Sequence, residues 1–95
     1  MYASIRRYKT TSVDELIRRV QAGFLPLISN APGFVAYYGV DAGDGVVASV
    51  SIFETQAGAE ESNRLAAEWV KGNIAMLVAG TPEITVGEVA AHLTA

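Results

Sequence analysis

The segment Val46-Val47-Ala48-Ser49-Val50-Ser51-Ile52-Phe53 constrains this chain more than any other. Its β-branched residues make it a strand. An antiparallel strand with one wet face alternates apolar and polar residues. Here Val46, Ala48, Val50 and Ile52 fill one face, and Val47, Ser49, Ser51 and Phe53 fill the other with small or apolar groups. No charge follows until Glu54. Both faces are expected to be dry, yet a chain of 95 residues has helices enough for only one. A second copy of the chain is the expected cover for the other.

The flanking sequence fits a sheet around that strand. Phe34 to Val40 is aromatic and β-branched, and Asp41-Ala42-Gly43-Asp44-Gly45 reads as a five-residue hairpin loop. Residues 1–10 carry Tyr2, Ile5 and Tyr8 and form a first strand. Val13, Leu16, Ile17, Val20 and Phe24 then recur at helical spacing. Ser12 and Glu15 match a capping box at the start of that helix. The helix is expected to kink near Pro26 and to end by Asn30, before the Ala31-Pro32-Gly33 turn. A second helix is expected from Gln56 to about Val78. Thr55 is its N-cap, Glu60–Arg64 an i,i+4 pair, and Gly72 a point of division. Glu83 to His92 reads as the last strand.

The order strand, helix, strand, strand, helix, strand predicts an α+β fold of the ferredoxin-like βαββαβ type. Right-handed crossovers put both helices on one face of a four-stranded antiparallel sheet, in one domain spanning residues 1–95.

Composition supports a partner and narrows the function classes. Ala, Val, Ile, Leu, Met, Phe, Trp and Gly make up 53 of the 95 residues, against roughly 45–50% in ordinary soluble domains. There is no cysteine, so neither a disulfide nor a thiolate metal site can compensate for a small core. Surplus apolar surface without a staple predicts a homodimer. Seven Lys and Arg stand against ten Asp and Glu, a net charge of −3, so no nucleic-acid partner is expected. No apolar run approaches the ~18 residues of a membrane span, and Met1–Arg7 has no signal-like apolar stretch after its charges. A soluble, cytoplasmic location is the expectation.

Three stretches resemble the antibiotic-biosynthesis-monooxygenase-like family: Ala31-Pro32-Gly33-Phe34-Val35-Ala36-Tyr37-Tyr38, Val47 to Thr55, and Ala66-Ala67-Glu68-Trp69-Val70. The resemblance implies ferredoxin-like subunits whose sheets meet in a dimeric α+β barrel. It also implies one of several activities. Some members oxidise aromatic anthrones with O₂ and no cofactor, others bind and degrade haem, and many have no assigned activity. The haem-degrading branch uses an Asn on the first strand, with a Trp and a ligating His on the second helix. This chain has Trp69, but Arg6 and Arg7 in place of the Asn and no His on that helix. The expectation is therefore a cofactor-independent monooxygenase acting on an activated aromatic. The alternative is a non-catalytic, ligand-binding or stress-responsive dimer.

The residues that would carry such chemistry are few. Asn63, Trp69 and Tyr38 are the catalytic candidates; Tyr37, Arg6 and His92 are the substrate-binding ones. Trp69 can stack a small aromatic ligand while its indole N–H donates a hydrogen bond. Asn63 lies on the apolar helix stripe and must find partners for its amide. Tyr37 and Tyr38 point to opposite faces, so at most one serves a pocket in its own subunit. His92 titrates near neutrality and suits a base, or else lies exposed near the C-terminus. Arg6 and Arg7 also point to opposite faces, and either could hold an enolate or carboxylate. The one turned inward would need a carboxylate partner, Glu54 or Glu88. Asp41 and Asp44 are turn residues with too few ligands for calcium.

Overall fold

A computed structural model describes residues 1–95. Strands β1 (Tyr2–Lys9), β2 (Phe34–Gly43), β3 (Val46–Phe53) and β4 (Ala79–Glu88) form one antiparallel sheet in the order β2-β3-β1-β4. This is the ferredoxin-like arrangement. A helical segment runs from α1 (Val13–Arg19) through a π-helical turn (Val20–Phe24) into α2 (Leu25–Ser29), and the long helix α3 covers Gln56–Asn73. Burial along β3 alternates strictly, with Val47, Ser49, Ser51 and Phe53 buried and their neighbours half-buried. Both helical segments therefore cover one face. On the other face Tyr38 and Val40 stand 61% and 46% exposed.

Several local features depart from expectation, each for a physical reason. Ser12 makes no side-chain cap; its own amide donates to Thr10 Oγ1 at 3.0 Å. Glu15 is instead held by Arg18 and Arg19, both at 2.6 Å. Two guanidinium groups outcompete a backbone amide for one carboxylate. They hold the Glu15 carboxyl well down, at about 2. The helix irregularity falls one turn before Pro26, in the π turn Val20–Phe24, and Pro26 then sits in the first turn of α2, where its missing N–H costs little. The segment ends at Asn30 as expected.

The five-residue hairpin loop shrinks to two residues because β2 continues to Gly43. Asp44 and Gly45 turn the chain with φ of 54° and 76°, the left-handed pair that matches strand twist. At Gly45 a Cβ would lie 2.5 Å from the Thr10 carbonyl oxygen, so only glycine closes this turn. Thr55 caps α3 by accepting the Gly58 amide at 3.0 Å. Gly72 lies inside α3, whose α-helical part ends at Asn73, with one 3₁₀ turn following at Ala75–Leu77. Arg64 pairs with Glu61 and with Glu68 at 2.7 Å, while Glu60 takes the Gln56 amide.

β4 begins before Pro82 and stops at Glu88, four residues short of His92. As an edge strand it tolerates Pro82 without losing a ladder bond. It stops because β1, its only neighbour, runs out at Tyr2, opposite Glu88.

Two buried clusters form the core. Phe24, Ile28, Phe53, Ala59 and Ala66 make one, and Leu16, Val47 and Ile74 the other; Trp69 packs against both.

Candidate functional site

The covered face of the sheet is polar at its centre. Arg6, in the middle of β1, is 2% exposed and lies directly opposite Ser49 on β3. Ser4 and Ser51, two residues along, are opposite each other and fully buried. The strand period of two brings all four onto one face. α3 adds Asn63 from above.

Arg6 is held entirely by neutral groups. One terminal nitrogen donates to Ser4 Oγ at 3.1 Å and Asn63 Oδ1 at 2.9 Å; the other donates to Ser49 Oγ at 3.2 Å and Ser51 Oγ at 3.3 Å. Ser4 Oγ also donates to Asn63 Oδ1. The expected carboxylate partner is not there. Glu54 and Glu88 lie outside this network, and every ion pair in the molecule belongs to Arg18, Arg19 or Arg64. The guanidinium carbon lies 5.8 Å from the Phe24 ring centroid, close enough for a cation–π contribution. A guanidinium has five N–H donors. Four have partners, and the fifth, Nε, is buried with none.

Beside Arg6 lies an apolar cavity of about 30 Å³, walled by Phe24 from the π turn, Tyr37 from β2, Trp69 and Val70 from α3, and Leu16 and Val47. Room for a water takes roughly 10–15 Å³, so it holds one or two water-sized groups. Phe24 links the aromatics, with its ring centroid 5.9 Å from Tyr37 and 5.5 Å from Trp69. Burial pushes the Tyr37 phenol up, with the nearby Ser49 hydroxyl and Arg6 pulling the other way. Tyr37 is thus a neutral donor at neutral pH. Trp69 lies against Gly23, where a Cβ would come within 3.0 Å of the indole. The π turn owes its close approach to that glycine.

A second compartment of about 150 Å³ lies on the outer side and shares Leu16, Val20, Tyr37 and Val47 with the first. Its other walls are Ile17, Gln21, Leu25 and Gly39.

The fold thus brings Arg6, Asn63, Tyr37 and Trp69 together. Tyr38 lies on the opposite face of the sheet, and His92 lies in the exposed C-terminal segment, away from this cavity. Sequence reasoning missed Ser4, Ser49 and Ser51 as a cradle. Their signal was parity, since each shares a face with Arg6. It also missed Phe24, which reads as an ordinary core residue. No group of three or more His, Asp or Glu residues could hold a metal, and no helix is long and apolar enough to cross a membrane.

No protein-family model matches the chain, and no curated protein matches it. Solved structures do. A protein of unknown function, NE2512 from Nitrosomonas europaea, is 23% identical, with 99% of this chain and 94% of that one covered and a TM-score of 0.76. The monooxygenase from the gene ActVA-Orf6 of Streptomyces coelicolor, solved with nanaomycin D, is 14% identical over 99% and 91%, with a TM-score of 0.79. A variant of MhuD with two manganese protoporphyrin IX molecules bound per active site is 20% identical over 100% of each chain, with a TM-score of 0.76. The fold of this chain is therefore one shared by a monooxygenase, a porphyrin-binding protein and a protein without assigned function.

Proposed function

We propose that the chain is a homodimeric member of the antibiotic-biosynthesis-monooxygenase-like family, and that its cavity is the site of a cofactor-independent monooxygenase acting on an activated aromatic. The convergence of Arg6, Tyr37 and Trp69 on one apolar cavity, with Asn63 behind it as a hydrogen-bond partner of Arg6, supports this reading. The likeness in fold to a monooxygenase solved with nanaomycin D is consistent with it.

In such a reaction an enolisable ring carbon bearing two hydrogens becomes a carbonyl. One oxygen atom of O₂ enters the product, and the other leaves as water with those two hydrogens. The protein would supply position and charge. Trp69 and Phe24 wall the inner cavity around the substrate oxygen, and the Arg6 guanidinium stabilises the oxyanion of the enolate that reacts with O₂. Asn63 holds Arg6 in place. Dimerisation is supported by the open sheet face, where Ile5, Tyr38, Val40 and Val50 present apolar surface and no helix of the same chain lies over it.

Incubation with anthrone or dihydroxynaphthalene is expected to give O₂ uptake that Trp69→Ala and Asn63→Ala reduce by at least tenfold. Uptake no greater than in those variants would end the enzyme reading for these substrates. A Soret band on hemin titration would instead point to porphyrin binding. One observation favours a second, non-catalytic reading: the inner cavity is too small for a ring system. Failure of the same aromatics to bind, together with no O₂ uptake, would establish it, with the cavity residues serving as packing.

A further inference from the structure

The buried arginine says something more specific about what the cavity accepts. A buried charge is normally paired, because desolvating it costs several kcal/mol. Arg6 is 2% exposed, carries no carboxylate partner, and retains one N–H, at Nε, without an acceptor. Its four neutral acceptors spread the positive charge without cancelling it. The guanidinium is a fixed cation with one unsatisfied donor buried beside a cavity, and Arg6 is one of the few polar residues in a wall that is otherwise almost wholly apolar.

The cavity has no base to match. Its walls and those of the outer compartment carry no carboxylate and no imidazole; their ionisable groups are Arg6, Tyr8 and Tyr37. Burial makes Tyr37 a weaker acid, so it donates a proton in a hydrogen bond and does not remove one. A ligand cannot be ionised there by a side chain at neutral pH.

The two compartments differ in size in a way that fits one kind of ligand. The inner one, about 30 Å³, takes an oxygen-sized head. The outer one, about 150 Å³ and mostly apolar, reaches the size at which an apolar cavity accepts a benzene ring.

We propose that the site takes its ligand as a preformed aromatic oxyanion, with the charged oxygen beside Arg6 in the inner compartment and the ring in the outer one. The inference rests on the reading that this cavity is the ligand site, and not on the oxygenase activity. It narrows the substrate class to aromatics acidic enough to ionise in water before they bind.

The test uses 4-nitrophenol, whose anion absorbs in the visible and whose neutral form does not. Trp69, the only tryptophan, lies in the cavity wall and reports occupancy by fluorescence. Bound 4-nitrophenol is expected to titrate at least one pH unit below the free compound, equivalent to tenfold tighter binding of the anion. Arg6→Gln should abolish that shift and Arg6→Lys retain part of it. Benzoate in parallel separates a carboxylate head from a phenolate or enolate one. An unshifted or raised titration in the parent protein overturns the proposal without reference to any variant, as does failure of both probes to bind at millimolar concentration. Anion preference without O₂ uptake leaves this inference standing and ends the oxygenase reading. Oxidation equally fast below and above the substrate's own pKa does the reverse.

Discussion

At the centre of the sheet the two faces invert the usual arrangement. The covered face buries a guanidinium and three serine hydroxyls at its centre, with exposures of 0–4%. The open face carries Ile5, Tyr38, Val40, Val50 and Ile52, with Tyr38 61% exposed. Polar groups lie where hydrogen-bond partners are scarce, and apolar groups lie where water is plentiful. Neither is the cheaper placement for an isolated chain. On the proposed reading the contrast reflects different tasks, the inner face holding a ligand and the outer another subunit.

The largest expected effect probes the inner face where it is ordinary core. Phe53 is fully buried, and Phe53→Ala should cost about 3–5 kcal/mol in urea denaturation. A loss below about 1 kcal/mol would mean that the helices do not pack on this face as described. On the outer face, Val50→Asp places a charge at the centre of the proposed interface. It should convert a dimer to a monomer in sedimentation, with about 2 kcal/mol or more of association free energy lost. If the parent protein already sediments as a stable single chain, the assigned task of that face is wrong.

Arg6→Met sharpens the comparison further. Losing Arg6 removes a desolvated charge that has no counter-charge, which offsets the cost of leaving Ser49 and Ser51 without their partner, and Ser4 keeps its bond to Asn63. Stability should stay within about 1 kcal/mol of the parent while oxyanion binding is lost. A loss of about 3 kcal/mol or more would make Arg6 a structural strut. The smallest effect lies outside both faces, at the half-buried Glu15. Its carboxyl is lowered from 4.5 to about 2 by Arg18 and Arg19, so its stabilisation is present above pH 4.5 and fades as pH falls towards 2. Glu15→Gln should remove only that part of the acid sensitivity, and 1 M salt should mask it.

Much of the architecture was legible along the chain. Strand and helix periods placed all six main elements, because each buries a stripe that its own sequence must carry. The boundaries that went astray were those set by neighbours. β2 runs longer than its apolar residues suggest because β3 supplies partners as far as Gly43, and β4 stops where β1 does. Within the site, the inward direction of Arg6 and Tyr37 follows from strand alternation once the covered face is known. The serine cradle was harder to see. Ser49 and Ser51 stand out as the only polar residues of β3, but nothing local shows that they accept from Arg6.

Residue order alone dictated the ferredoxin-like topology and the absence of charge from both faces of β3, since both depend on periodicity within single elements. Which arginine is buried, that it lacks a counter-charge, and that Trp69, Phe24 and Tyr37 surround it depended on three-dimensional packing. Strand register and the descent of α3 and the π turn onto the sheet join residues 57 positions apart, as at Arg6 and Asn63. Contacts at that range leave no periodic trace in a sequence, because each partner's local pattern is satisfied whichever residue it meets.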